Sequence, residues 1–310
     1  MLPADSVGGV LRTKDSTTRE KDSRTGRSRT CAPHIQRLDV WVFALCCDNQ
    51  VAARMPFTLS HPAAVLPLAR TKLAFSALVA GAMAPDVGYF LTLSSRHAES
   101  HSIKGLFAFC LPAGLLLLLL FHKLMKEPLL TLLPAAHRAR IYPYAQDFRF
   151  TPASRFAIIV VSLLIGSATH LAWDSFTHET GWFVRQFPVM TAPLLNIRDE
   201  SIPAYKLLQH TSTIAGLLVL AAAYLVWYRK AQPNSIAVSR VAPIWKAAIL
   251  LLMFAGACFA AFLRTEPPLM SFSTLRPNVV EGTIAFVATF TLEAIIFSLI
   301  WHVRNRHSQS

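Results

Sequence analysis

Residues 156–178 read Phe156-Ala-Ile-Ile-Val-Val-Ser-Leu-Leu-Ile-Gly-Ser-Ala-Thr-His170-Leu-Ala-Trp-Asp174-Ser-Phe-Thr-His178. The stretch from Phe156 to Trp173 contains no Lys, Arg, Asp or Glu. As an α-helix it would cover about 27 Å, close to the roughly 30 Å of hydrocarbon in a bilayer. The stretch then closes on His170, Asp174 and His178, spaced i, i+4 and i+8. Each four-residue step drifts only about 40° around a helix, so the three side chains share one face. Imidazole and carboxylate are ligands for divalent metals, and three ionisable groups on one stripe of a membrane helix are costly unless something repays them.

Working outward, the same apolar character recurs at residues 73–93, 105–121, 212–228, 244–263 and 283–301. Together with 156–173 these make about six transmembrane helices, with 73–93 the weakest. The 310 residues are 53% hydrophobic and 15% charged, with mean hydropathy +0.42. The expected fold class is therefore an all-α polytopic integral membrane helical bundle in contact with membrane lipids.

The formal net charge of +13 could suggest nucleic acid. Its Lys and Arg residues, however, lie in the N-terminal tail and in the gaps between apolar blocks, as membrane topology dictates, and no nucleic-acid partner is expected. The basic gaps are His122–Arg155, Arg229–Lys246 and Arg304–Arg306, which the positive-inside rule assigns to the cytoplasm. Segments 94–104, 174–211 and 264–282 then face outward. The expected location is the inner (cytoplasmic) membrane of a bacterium. That orientation, set by Lys and Arg alone, puts His101, Asp174, His178 and His210 on one side.

Residues 1–54 are polar, basic and aperiodic, and are expected to be a disordered tail or the product of a misassigned start, with the true start near Met55. A helical membrane domain, 55–303, and a basic cytoplasmic tail, 304–310, follow. The five cysteines show neither metal nor disulfide spacing. There is no glycine-rich phosphate loop, Gly-x-Ser-x-Gly, HExxH or internal repeat, so any chemistry must be metal-based.

Seven residues are candidate metal ligands: His61, Asp86, His101, His170, Asp174, His178 and His210. His170 and Asp174 are the primary pair, and Gly166-Ser-Ala-Thr169 before them permits a neighbouring helix to come close. His178 lies about 12 Å beyond His170 on a straight helix, so either Asp174 bridges two ions or the helix unwinds before Gly181 and His178 swings back. Asp86 sits in Ala84-Pro-Asp-Val-Gly88, where a helix must break. A carboxylate there faces a polar cavity or an ion, or caps a helix at the interface. His101 stands at the entrance of the second span, while His97 reads as a loop residue.

For His61, one straight helix to Asp86 would separate the two by about 38 Å, whereas a hairpin turning near Arg70-Thr-Lys72 would bring them to one face. His210 opens the fourth span. Glu179, beside His178, is the candidate catalytic base, with Glu99 a second choice. Glu293, alone in the last apolar block, reads as a packing partner. His122, His137, His302 and His307 read as interface or tail residues.

Met55-Pro-Phe-Thr-Leu-Ser-His-Pro-Ala-Ala, Ala84-Pro-Asp86, Ser100-His-Ser102 with Gly105, Thr169 through Glu179 with Gly181-Trp182, and Tyr205-Lys-Leu-Leu-Gln-His210 together resemble the bacterial membrane family called domain of unknown function 4184. More distantly, the order His, Pro-Asp, Ser-His, His-x-x-x-Asp is similar to predicted membrane-bound metal-dependent hydrolases, and through them to the helical zinc-dependent phospholipase C fold. That resemblance implies His61, Asp86, His101, His170 and Asp174 as ligands. It departs where Pro-Asp-x-Asp is reduced here to Pro-Asp-Val-Gly88 and one carboxylate is missing, which bears on the number of ions.

The expected function is a metal-dependent hydrolase with its site near the outer face, using zinc, or else manganese, on a phosphoester or lipid-linked substrate. The competing readings are a non-catalytic membrane protein, such as a metal-handling transporter or structural subunit, and histidines that merely pack.

Overall fold

The computed structural model describes residues 58–94, 99–145, 148–197, 200–234, 241–265 and 272–307. His97 and residues 1–57 lie outside them, as does the side chain of Glu99. Among the described residues six helices are long and apolar enough to cross a membrane, and they fall on the six apolar blocks of the sequence. The protein is an all-α integral membrane bundle.

In chain order, α1 is a 3₁₀ helix at Thr58–Arg70 and α2 spans Phe75–Thr92. The 3₁₀ turn Glu99–His101 leads into α3, Ile103–Leu132. Next come α4 (Ala135–Ala145) and α5 (Ala153–Thr177), then the short α6 (Trp182–Gln186) and α7 (Pro188–Thr191). An antiparallel hairpin, β1 (Pro193–Ile197) and β2 (Glu200–Pro203), leads into α8, Ala204–Lys230. The last two helices are α9, Pro243–Leu263, and α10, Phe272–His307. The hairpin is an addition to the helical reading of the sequence.

The core of the bundle is the packing of α2 against α5, with α1, α3 and α8 around them, while α9 and α10 pack on each other. Glycine makes the α2–α5 contact. A Cβ on Gly81 would collide with the Leu163 carbonyl, and one on Gly166 with the Leu78 carbonyl. Two backbones can touch only where both helices lack that atom. Below this crossing Ala74, Ala77, Ile159 and Leu163 form a buried apolar cluster with Leu118. Large apolar side chains such as Phe107, Leu218, Leu252, Phe259 and Ile300 stay exposed. That surface suits lipid and would be a severe liability in water.

Proline shapes the two elements that carry the first site residues. Pro85 lacks an N–H, and α2 tightens into a 3₁₀ turn over Ala84–Asp86 before resuming at Val87–Thr92. Pro62 and Pro67 lie within α1. The chain turns after Arg70 and re-enters a helix at Phe75, so the hairpin arrangement is the one adopted and the straight helix from His61 to Asp86 is not. At the basic end of the bundle, Arg140 Nε donates to the Tyr228 carbonyl (3.2 Å) and stacks on that ring, and Lys246 Nζ donates to the Leu133 carbonyl (3.1 Å). These contacts tie α4 to the end of α8, and the link between α3 and α4 to the start of α9.

Candidate metal centre

Four backbone elements deliver side chains to one point in the half of the bundle away from that basic end. α1 brings His61, the 3₁₀ turn of α2 brings Asp86, the turn before α3 brings His101, and the last two turns of α5 bring His170 and Asp174. Asp86 and His170 are fully buried, and His61 is 1% exposed. Only the side chains of His101, at 20%, and Asp174, at 11%, reach the surface of the cluster.

The distances form a closed set. His61 Nε2 lies 3.1 Å from Asp174 Oδ1, and His170 Nε2 lies 3.2 Å from Asp174 Oδ2. His101 Nε2 lies 3.3 Å from Asp174 Oδ2 and 3.2 Å from Asp86 Oδ1, while His170 Nε2 lies 3.5 Å from Asp86 Oδ1. Ligand atoms about 2.1 Å from one ion stand about 3.0 Å apart at right angles and about 3.4 Å apart at tetrahedral angles. Two overlapping sets, His61/Asp86/His170 and His101/His170/Asp174, converge closely enough to hold an ion.

Hydrogen bonding around the cluster fixes which atoms face inward. His170 Nδ1 donates to the Ala82 carbonyl at 2.7 Å, so its Nε2 presents a lone pair to the two carboxylates when the ring is neutral. His170 Nε2 and both carboxylate oxygens of Asp86 are buried with no hydrogen-bond partner. Acceptors thus face acceptors, which a cation, or protons on the imidazoles, must reconcile. His101 Nδ1 meets Ser100 Oγ at 3.0 Å, aiming Nε2 at the acids. Burial opposes charge on His101, but the close approach of Asp174 and Asp86 and their negative charges outweigh this and push its pKa up to about 9. Stacking completes the packing: the His61 and His170 rings lie 3.8 Å apart at 14°, and Trp173 tilts against His61 while its Nε1 donates to Ser212 Oγ.

The other sequence candidates take different places. α5 ends at Thr177, before Gly181, and His178 is extended, at φ −120° and ψ 143°, so its ring turns back toward Asp174. Its Nδ1 lies 3.4 Å from Asp174 Oδ1 and 3.2 Å from both the Asp174 carbonyl and Thr177 Oγ1. Its Nε2 lies 3.4 Å from Gln209 Nε2. His178 therefore stands behind Asp174, outside both convergent sets. His210 lies on the exposed face of α8, also outside both sets, and Glu179 is exposed in the turn after His178. Sequence reasoning missed Gln209. Tyr205 and Gln209, four apart, are both buried on α8, and that helical period marks the inward face one residue before His210.

Buried imidazoles and carboxylates converging from four elements of a polytopic helical bundle define a membrane protein with a candidate His/Asp metal centre. The chain belongs to the family described as Domain of unknown function (DUF4184), which matches residues 55–301. No curated protein and no solved structure matches it.

Proposed function

We propose that this protein is a metal-dependent hydrolase whose divalent ion, zinc or else manganese, is held by His61, Asp86, His101, His170 and Asp174, and that it acts on a phosphoester or lipid-linked substrate. The observation that carries this reading is the convergence of imidazole nitrogens and carboxylates that leaves Asp86 and His170 Nε2 buried without a donor. A mixed nitrogen and oxygen set of this kind suits zinc or manganese. When bound, such an ion supplies Lewis acidity toward an ester oxygen and lowers the pKa of water.

The residues divide the remaining work. Asp86, His61 and His170, fully enclosed, hold position, while His101 and Asp174 form the accessible side from which a substrate approaches. His178 steadies Asp174 from behind. Glu179, exposed beside it, is the carboxylate assigned to accept the proton. By the positive-inside rule the site lies near the outer face of a bacterial inner membrane, where lipid headgroups stand.

The transporter alternative needs polar groups through both leaflets. Beneath the cluster, however, the α2–α5 interface is closed by Leu78, Ala77, Ile159 and Leu163, which supports a site open on one side. The test is a phosphoester screen with detergent-purified protein reloaded with zinc or manganese. Hydrolysis that requires metal and is lost in Asp174→Asn is expected. Full hydrolysis by Asp174→Asn, or none with any lipid or soluble phosphoester, would overturn the hydrolase assignment.

A further inference from the structure

α1 has 13 residues, too few for an α-helical span. A 3₁₀ helix, however, rises about 2.0 Å per residue, so α1 covers about 26 Å, as much as about 17 residues of α-helix. Its contacts follow that whole length. At its start Ser60 is fully buried and packs where Gly216 of α8 has no side chain, and His61 reaches Asp174. At its middle Val65 is fully buried with Leu78, Ala82 and Ile165 around it. At its end Arg70 and Lys72 are exposed.

The turn that follows lies toward the basic end of the bundle. Ala74 N–H donates to Ser162 Oγ at 2.9 Å, and Ser162 precedes Asp174 by about 18 Å of α5. Ser76 Oγ lies 3.2 Å from His122 Nε2, beside Lys123 and Lys126. From Thr58 to Ala69 there is no Lys, Arg, Asp or Glu. The charges begin where the descent ends, as they do at the basic ends of the recognised spans. α10 also finishes at this basic end, where His302 Nε2 meets the Leu124 carbonyl at 2.9 Å.

We propose that Thr58–Arg70 is a seventh membrane passage that carries His61 down into the cluster. The chain just before Thr58 then lies on the side of the metal centre, and the C-terminus on the other. Six passages would put both ends on one side and seven put them on opposite sides, so the claim stands or falls independently of metal binding.

The test is labelling with a membrane-impermeant maleimide in sealed spheroplasts, using single-cysteine variants made after replacing Cys31, Cys46, Cys47, Cys110 and Cys258 with serine. Pro56→Cys should label under the same conditions as Thr180→Cys, in the turn after α5, and under the opposite conditions to Ser310→Cys. Pro56→Cys behaving like Ser310→Cys would overturn the proposal. An epitope inserted before Met55 of the otherwise unaltered protein gives a second readout, free of any effect of cysteine removal. Protease should remove it from the side that exposes Thr180, and cleavage only from the side of Ser310 would equally overturn the seventh passage.

Discussion

His101 is the cluster member that stands outside the spans, and a metal bound at its Nε2 must displace its proton. Raised from 6.5 to about 9, the ring stays charged in the metal-free protein at neutral pH. The stability this lends is fully present below about pH 6.5 and fades as pH rises through about 9. An ion competes for the same nitrogen, so its apparent affinity falls as pH is lowered from 9 toward 6.5, by up to about tenfold per unit. Titration calorimetry at pH 7.5 in buffers of different ionisation enthalpy should report release of at least one proton. A heat that does not depend on the buffer would contradict this.

The residues around the cluster should also separate by affinity. Asp174→Asn loses a group that all three imidazoles of the cluster approach, and metal should bind more than about 100-fold more weakly. His178→Ala and Gln209→Leu act only through the orientation of Asp174 and should cost about 10–100-fold. His210→Ala, on the exposed face of α8, should stay within about twofold. Equal effects for His178 and Asp174 would make His178 a ligand. The ligand-type residues at the span ends were legible in the sequence because His and Asp are conspicuous among Leu, Val and Ala. Gln209 was not, since an amide is no strong ligand, and only its helical phase with Tyr205 marks it.

At the scale of elements, the α2–α5 contact sets the height of His170 against the Ala82 carbonyl. Gly81→Val or Gly166→Val forces a side chain into the opposing backbone, which should cost about 1–3 kcal/mol and lower both the thermal midpoint in detergent and the metal content. An unchanged midpoint with full metal content would show that the helices are not so tightly seated. The six long spans were readable because unbroken apolarity over 17 or more residues has few other meanings, and Gly166-Ser-Ala-Thr169 announced a close neighbour. α1 was legible only as one arm of a possible hairpin turning near Arg70-Thr-Lys72; its reach was not, because a 3₁₀ rise makes a short, proline-bearing segment longer than any criterion based on α-helical length allows. The break at Pro85 was legible as a break, but that it turns Asp86 toward α5 depends on tertiary packing.

At the scale of the whole molecule, the site is capped below by apolar packing and approached through His101 and Asp174. Reconstituted in liposomes loaded with a zinc-sensitive dye, the protein should show no zinc uptake above that of empty liposomes. Saturable uptake abolished by His170→Ala would replace the hydrolase reading with transport.

The central claim is that the His/Asp cluster holds an ion. The direct measurement is elemental analysis of detergent-purified protein, prepared without chelator and with zinc and manganese supplied, beside a His170→Ala, Asp174→Ala double variant matched for thermal stability. A stoichiometric divalent metal in the native protein and its loss in the variant is the predicted result. A native protein that binds no metal, or a variant that binds as much, would contradict the account and leave the histidines and aspartates as a buried proton-sharing cluster.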